Sequence, residues 1–331
     1  MVLFLLSLCI SGPAWATDLG TWAETRENPD PVPTEAAGYR FTGDFFGQLA
    51  TLAEARPGVV EVERIGITVR GEPIWAFHVQ RPGPTPPHKV LVFAGIHALE
   101  WISTEVALAL LTELIEAPPP GVRVTVIPLL NPDGRDKVQA DLLAGRNLYR
   151  RGNGRNIDLN RDFAVNTEAR AIWKAVIPGY YSHSDTPLSQ PESKALDALL
   201  DRERYDRAAS LHSFGGYLYF PWSGRFERPE RWAEHVAIGR AMERAQGPGA
   251  YRTRQLARWG FFFRAQGTEL DHIYGRYGTD AFLIELTRSG FDPLHPRHSL
   301  NTYFRWYNPA RVDRHRDRGL RAVHSLVRDG W

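Results

Sequence analysis

The stretch Lys89-Val90-Leu91-Val92-Phe93-Ala94-Gly95-Ile96-His97-Ala98-Leu99-Glu100-Trp101 decides how the rest of the chain is read. After Lys89 the residues up to Ala94 are apolar without alternation, which predicts a strand covered on both faces. Gly95 ends the run, and Trp101 to Glu116 follows with the length and pattern of a helix. A buried strand, a short loop and a helix form the repeating unit of an α/β sheet. His97 and Glu100 fall at the junction of that loop and helix, where both side chains can face one point.

The same grammar extends outward. Gly43 to Ala55 is an amphipathic helix ended by Arg56-Pro57-Gly58. Val59 to Ile65 and Pro73 to Gln80 are strands on either side of an Arg70-Gly71 turn, and Arg123 to Leu129 is a further strand. Gln190 to Arg202 is helical, Arg207 to His212 and Ala281 to Leu286 are strands, and Pro309 to Asp329 is an amphipathic helix with a solvated arginine face. Residues 17–40 are polar and carry Pro29, Pro31 and Pro33, which predicts an irregular arm. There is no internal repeat or long low-complexity linker, and the length of 41–331 fits one large domain or two ordinary ones.

Composition narrows the class. A hydrophobic content of 43% in 331 residues supplies a sizeable core, and a net charge of +2 gives no reason to expect a nucleic-acid partner. Val2 to Ile10 is apolar apart from Ser7 and too short to span a bilayer. Ala14-Trp15-Ala16 then offers a small-x-small cleavage site, so residues 1–16 are expected to be a signal peptide, although no Lys or Arg precedes the run. Cys9, the only cysteine, lies inside it, so neither disulfides nor thiolate metal sites are expected in the mature chain. These features predict a soluble protein that is secreted or periplasmic, with no membrane span.

His97 and Glu100 follow one predicted strand, His212 closes another, and Glu285 lies near the end of a third. Sites in open α/β sheets gather at the carboxyl ends of strands. Two histidines and a carboxylate are also the ligand set of a catalytic zinc site with one position left open. The segments Gly95-Ile96-His97-Ala98-Leu99-Glu100-Trp101-Ile102-Ser103, Asn131-Pro132-Asp133-Gly134, Ile157-Asp158-Leu159-Asn160-Arg161-Asp162-Phe163, Leu211-His212-Ser213-Phe214 and Phe282-Leu283-Ile284-Glu285-Leu286 occur in that order. Together they resemble the zinc metallocarboxypeptidase family of the carboxypeptidase A type, over roughly Phe41 to Trp331.

The resemblance implies a single-domain α/β fold, a mixed eight-stranded twisted sheet with helices on both faces. It implies one Zn2+ per chain held by His97, Glu100 and His212, with Asp158 orienting His97 and Asn131 to Gly134 forming a loop. Glu285 would be the catalytic base, and Asn160 with Arg161 would hold the terminal carboxylate of a peptide, which suits a guanidinium fork. An oxyanion-stabilising arginine is implied at Arg151, with Arg150 as the competitor.

Some positions depart from the digestive branch. Phe263 stands where that branch has a mobile tyrosine, and Tyr274 or Tyr277 are the alternative donors. Leu99 replaces an arginine and Phe214 a tyrosine. Leu270 is expected near the base of the pocket for the terminal side chain, favouring an apolar residue; a shift of one would put Glu269 there instead. The substrate reading is a peptide trimmed from its C-terminus. The alternatives are a peptidoglycan stem peptide, or a zinc-bearing binding protein without turnover.

Overall fold

Alternate residues of the apolar run leave β3 (His88–Ala94) on opposite faces of a sheet, and both faces are covered. Val90, Val92 and Ala94 enter one apolar cluster, whereas Leu91 and Phe93 enter the other. Such fully buried side chains are worth about 1.5–3 kcal/mol each relative to exposure. The structure is a computed structural model that describes residues 14–26, 28–168, 186–260, 264–288 and 303–331. The Val2–Ile10 run lies outside the described residues.

The remaining strands are β1 (Val60–Ile67), β2 (Pro73–Val79), β4 (Val122–Ile127), β5 (Arg207–Ser213), β6 (Tyr217–Phe220), β7 (Arg252–Gln255) and β8 (Asp280–Leu286). Among the described residues they form one eight-stranded sheet in the order β1-β2-β4-β3-β5-β8-β6-β7. The central β4, β3, β5 and β8 run parallel. β1 and β2 pair antiparallel at one edge, and β6 turns antiparallel to β8 before pairing in parallel with β7. The mixed eight-stranded sheet expected from the sequence is therefore the observed one.

Helices α1 (Ala14–Glu24), α2 (Thr42–Ala55), α3 (Trp101–Glu116), α6 (Trp232–Gln246), α8 (Tyr303–Tyr307) and α9 (Val312–Arg328) contribute to the first cluster. α5 (Pro191–Glu203) and α7 (Glu269–Tyr277) supply Leu196, Leu199, Leu270 and Ile273 to the second. The sheet is thus a layer between two apolar cores, with helices on both faces.

Two readings need correction. The segment expected to be an irregular arm begins with α1, which buries Leu19 and Ala23 and sets Trp22 edge-on to Phe46 at 4.0 Å. Its apolar positions are four apart, so one helical face docks, and the prolines come only later. Asn131-Pro132-Asp133-Gly134, read as a loop, opens helix α4 (Pro132–Leu143). Asn131 caps it by accepting from Gly134 N at 2.9 Å, with Pro132 in the first turn. The apolar period is absent because α4 buries polar groups. Asp133 accepts from the Thr68 hydroxyl, and the Arg135 guanidinium lies 4.0 Å from the Trp101 ring centre.

Gly95 determines how the chain leaves β3. Its φ is +65°, and a Cβ there would lie 2.5 Å from Leu129 Cδ1, so the tight turn into His97 requires glycine. Asn131 Nδ2 donates to Ile96 O at 3.1 Å and ties this turn to the start of α4. Asn131→Ala removes the cap and the tie together, and about 1–2 kcal/mol of stability should be lost in urea unfolding.

Candidate metal centre

Three strand ends meet at one point. His97 comes from the loop after β3. Glu100 occupies the N-cap position of α3 but makes no capping bond with its side chain. His212 is the penultimate residue of β5, and the β5–β8 register sets it opposite Glu285. Adjacent strands lie about 4.8 Å apart, so this register brings the two side chains to one end of the sheet.

His97 Nδ1 is 2.8 Å from Glu100 Oε1, His212 Nδ1 is 3.1 Å from Glu100 Oε2, and the two Nδ1 atoms are 3.1 Å apart. All three residues are buried. On the far side of each ring stands a carboxylate: Asp158 Oδ1 is 3.1 Å from His97 Nε2, and Glu269 Oε1 is 2.8 Å from His212 Nε2. A ring that donates from Nε2 presents a lone pair at Nδ1. Two such lone pairs and a carboxylate converge here, an arrangement that suits a cation between them. The donor set suits zinc, and these ligand atoms lie within 4.8 Å of one another.

The electrostatics agree. Burial opposes charge on His212, but Glu100 and then Glu269 outweigh it and push the imidazole up to about 10. Burial likewise opposes charge on Glu100, yet His97 and His212 hold its carboxyl well below the usual range. Asp158 is also held low against burial, by Arg151, then His97 and Arg161.

The two candidate arginines separate. Arg151 Nε donates to Asp158 Oδ2 at 2.7 Å, and its NH1 is 3.7 Å from Glu100 Oε1. Arg150 turns to Asp141, with Nε 2.7 Å from Oδ2. Arg151, Glu100 and Glu285 line a cleft of about 750 Å³, whose walls include Phe214, Tyr217, Tyr219, Trp259, Arg252 and Arg288. Arg150 is not in that wall. Glu285 Oε2 is shielded from solvent and has no hydrogen-bond partner among the described residues. Burial, then the charge of Glu100, pushes the Glu285 carboxyl up to about 8.

Asn160 and Arg161 lie in a short turn, Leu159–Arg161, opened by Asp158, which accepts from Asn160 N at 3.0 Å. Asn160 Oδ1 accepts from Glu269 N at 3.1 Å, and the Arg161 guanidinium donates to Asn160 O. Both are buried beside the centre and neither belongs to the cleft wall. Leu270 is buried in the second core cluster and likewise does not line the cleft. Phe263 lies outside the described residues.

The substitute donors turn away from the cleft. Tyr274 accepts from Arg231 N at 3.3 Å, and the Tyr277 hydroxyl is tied to Asp197. Leu99 is buried in the first core cluster, and Phe214 meets Tyr307 with ring centres 5.1 Å apart. Glu269 is the residue whose place the sequence did not reveal. The sequence offers it only as a pocket carboxylate, and nothing in its own neighbourhood points to a histidine far upstream.

An α/β sheet with a His-Glu-His cluster able to hold a metal ion at the carboxyl ends of its parallel strands is the class that fold and site define. Residues 47–305 match the sequence profile of the zinc carboxypeptidases, and the chain belongs to that family. YqgT of Bacillus subtilis (strain 168) is 29% identical over 265 residues, covering 71% of this chain and 66% of that protein. Carboxypeptidase O of Bos taurus is 23% identical over 226 residues, 62% of this chain and 59% of that protein. The chain thus spans less than two thirds of the length of either relative.

Among solved structures, bovine thrombin-activatable fibrinolysis inhibitor in complex with tick carboxypeptidase inhibitor superposes with a TM-score of 0.71 at 20% identity, covering 87% of this chain and 96% of that one. Murein-tripeptide amidase MpaA from Escherichia coli O157 superposes at 0.51 and 18%, covering 83% of this chain and 94% of that one. At these identities the likeness is one of fold. No helix among the described residues is long and apolar enough to cross a membrane.

Metal and proton compete for the His212 lone pair. Glu100 and then Glu269 favour a proton there in the metal-free protein, so zinc binding should release it. The apparent zinc dissociation constant should fall about tenfold per pH unit between pH 6 and 8. Chelator competition at several pH values measures this, and a flat profile would contradict it.

Proposed function

We propose that this chain is a zinc-dependent carboxypeptidase that hydrolyses the C-terminal peptide bond of peptides. The observation that carries the reading is the pair of facing Nδ1 atoms of His97 and His212 beside Glu100, next to a shielded, partnerless Glu285 oxygen. Zinc held by His97, Glu100 and His212 would supply Lewis acidity, acidifying water and polarising a carbonyl oxygen.

The remaining work falls to side chains. Glu285 takes the proton of the attacking water and returns it to the leaving amine, a role favoured by a carboxyl with a raised pKa. Arg151, braced through Nε by Asp158, offers its other N–H groups to the oxyanion that develops at the scissile carbonyl. Asn160 and Arg161 take the terminal carboxylate once their side chains turn from their present bonds toward the cleft. The bond from Glu269 N now occupies Asn160 Oδ1, and the amide nitrogen is the donor to the carboxylate. A base beside the metal has no use in a binding protein without turnover, and that alternative is set aside.

A second reading has its own support. Arg252 and Arg288 join Arg151 in the cleft wall, which suits a substrate rich in carboxylates, such as a peptidoglycan stem peptide. The apolar N-terminal run supports an exported enzyme that would meet either substrate.

The test is to incubate zinc-loaded protein with defined peptides and muropeptides and to follow their masses. Stepwise loss of C-terminal residues is expected. Cleavage of muropeptides alone would favour the second reading, and no cleavage of either would contradict both.

Glu285→Gln should keep zinc and lose about 10²–10⁴-fold in kcat. Arg151→Ala should lose about 10²–10³-fold in kcat, while Arg150→Ala stays near wild type. Equal losses in the two arginine variants would refute the assignment.

A further inference from the structure

Both ligand histidines have a carboxylate behind them, and only one of these was expected. Glu269 is fully buried, its Oε1 is 2.8 Å from His212 Nε2, and its Oε2 has no hydrogen-bond partner. It is the first residue of α7, behind Thr268, whose hydroxyl accepts from Asp271 N at 3.2 Å. That cap fixes the direction in which the Glu269 side chain leaves the helix. Among the described residues the imidazole is the one donor to this buried carboxylate.

The contact is one link in a closed circuit. His97 Nε2 bonds to Asp158 Oδ1, which also accepts from Asn160 N. Asn160 Oδ1 accepts from Glu269 N, and Glu269 Oε1 bonds to His212 Nε2. The two Nδ1 atoms close the ring across the metal position. One turn, Leu159–Arg161, therefore braces the supports of both ligand rings.

We propose that Glu269 is a positioning residue for the metal centre, fixing the ring orientation and tautomer of His212 as Asp158 does for His97. A carboxylate accepting from Nε2 keeps the proton there, commits Nδ1 to the metal and increases its basicity. The rival partner is Ser210, whose Oγ is also 2.8 Å from His212 Nε2. A serine hydroxyl can fix the ring but brings no charge, so the two partners are separable.

This inference rests on the zinc reading of the centre. The experiment measures the zinc dissociation constant by chelator competition for wild type, Glu269→Gln, Glu269→Ala and Ser210→Ala. It also records the visible spectrum of each cobalt(II)-loaded protein and the unfolding midpoint of each metal-free one. Glu269→Gln, which keeps size and a hydrogen bond but loses the charge, should weaken zinc about tenfold, and Glu269→Ala up to about a hundredfold. Both should shift the cobalt spectrum, while metal-free Glu269→Gln unfolds at the wild-type midpoint.

Zinc affinity and cobalt spectrum unchanged in Glu269→Gln would overturn the proposal and leave the zinc reading standing. Loosening confined to Ser210→Ala would overturn it in favour of the serine. A lowered metal-free midpoint with unchanged zinc affinity would make Glu269 a folding residue and overturn it as well. Absence of zinc binding by the wild type would refute both the inference and the zinc reading.

Discussion

Two imidazole nitrogens that face each other at 3.1 Å, buried beside a carboxylate, are the constraint on which the rest of this structure depends. Burying ionisable groups is costly unless each is paired or coordinated. The chain meets that cost with structure drawn from distant segments. Gly95 permits the turn that delivers His97, the β5–β8 register delivers His212 and Glu285 together, and the Asp158 turn braces what lies behind. Each of these is dictated by backbone geometry, which keeps the centre off mobile loop tips.

The same constraint organises the cleft. Asp158 serves His97 with one oxygen and Arg151 with the other, so the brace of the imidazole also aims a guanidinium toward Glu100. Arg150, one residue earlier, points the opposite way and is neutralised by Asp141. Adjacent arginines thus have opposite fates, Arg151 held by Asp158 and Arg150 by Asp141. Around this polar end, Tyr217, Tyr219, Trp259 and Phe214 offer faces for peptide groups and apolar side chains.

Much of this was legible in the sequence, for physical reasons that differ from element to element. Lys89–Ala94 could be read because burial on both faces leaves an unbroken apolar run. Trp101–Glu116 could be read because its length and pattern admit only a helix, and its observed limits are the same. The clustering of His97, Glu100 and His212 was legible because metal chemistry restricts residue type. β7 was not legible: Arg-Thr-Arg-Gln is an edge strand with exposed arginines, and its pairing with β6 supplies what its side chains do not. α4 was hidden because it buries charged residues that the fold satisfies from other segments. Glu269 was hidden because its partner is set by tertiary contact alone.

The central claim is that His97, Glu100 and His212 hold one zinc ion through two nitrogens and a carboxylate oxygen. X-ray absorption at the zinc edge of the purified, zinc-loaded protein tests it most directly. The expected result is one zinc per chain with two histidine nitrogens and light oxygen ligands at about 2.0–2.2 Å. His212→Ala should remove one of the two histidine nitrogens. A spectrum with fewer than two histidine ligands in the wild type, or one unchanged in that variant, would contradict the account.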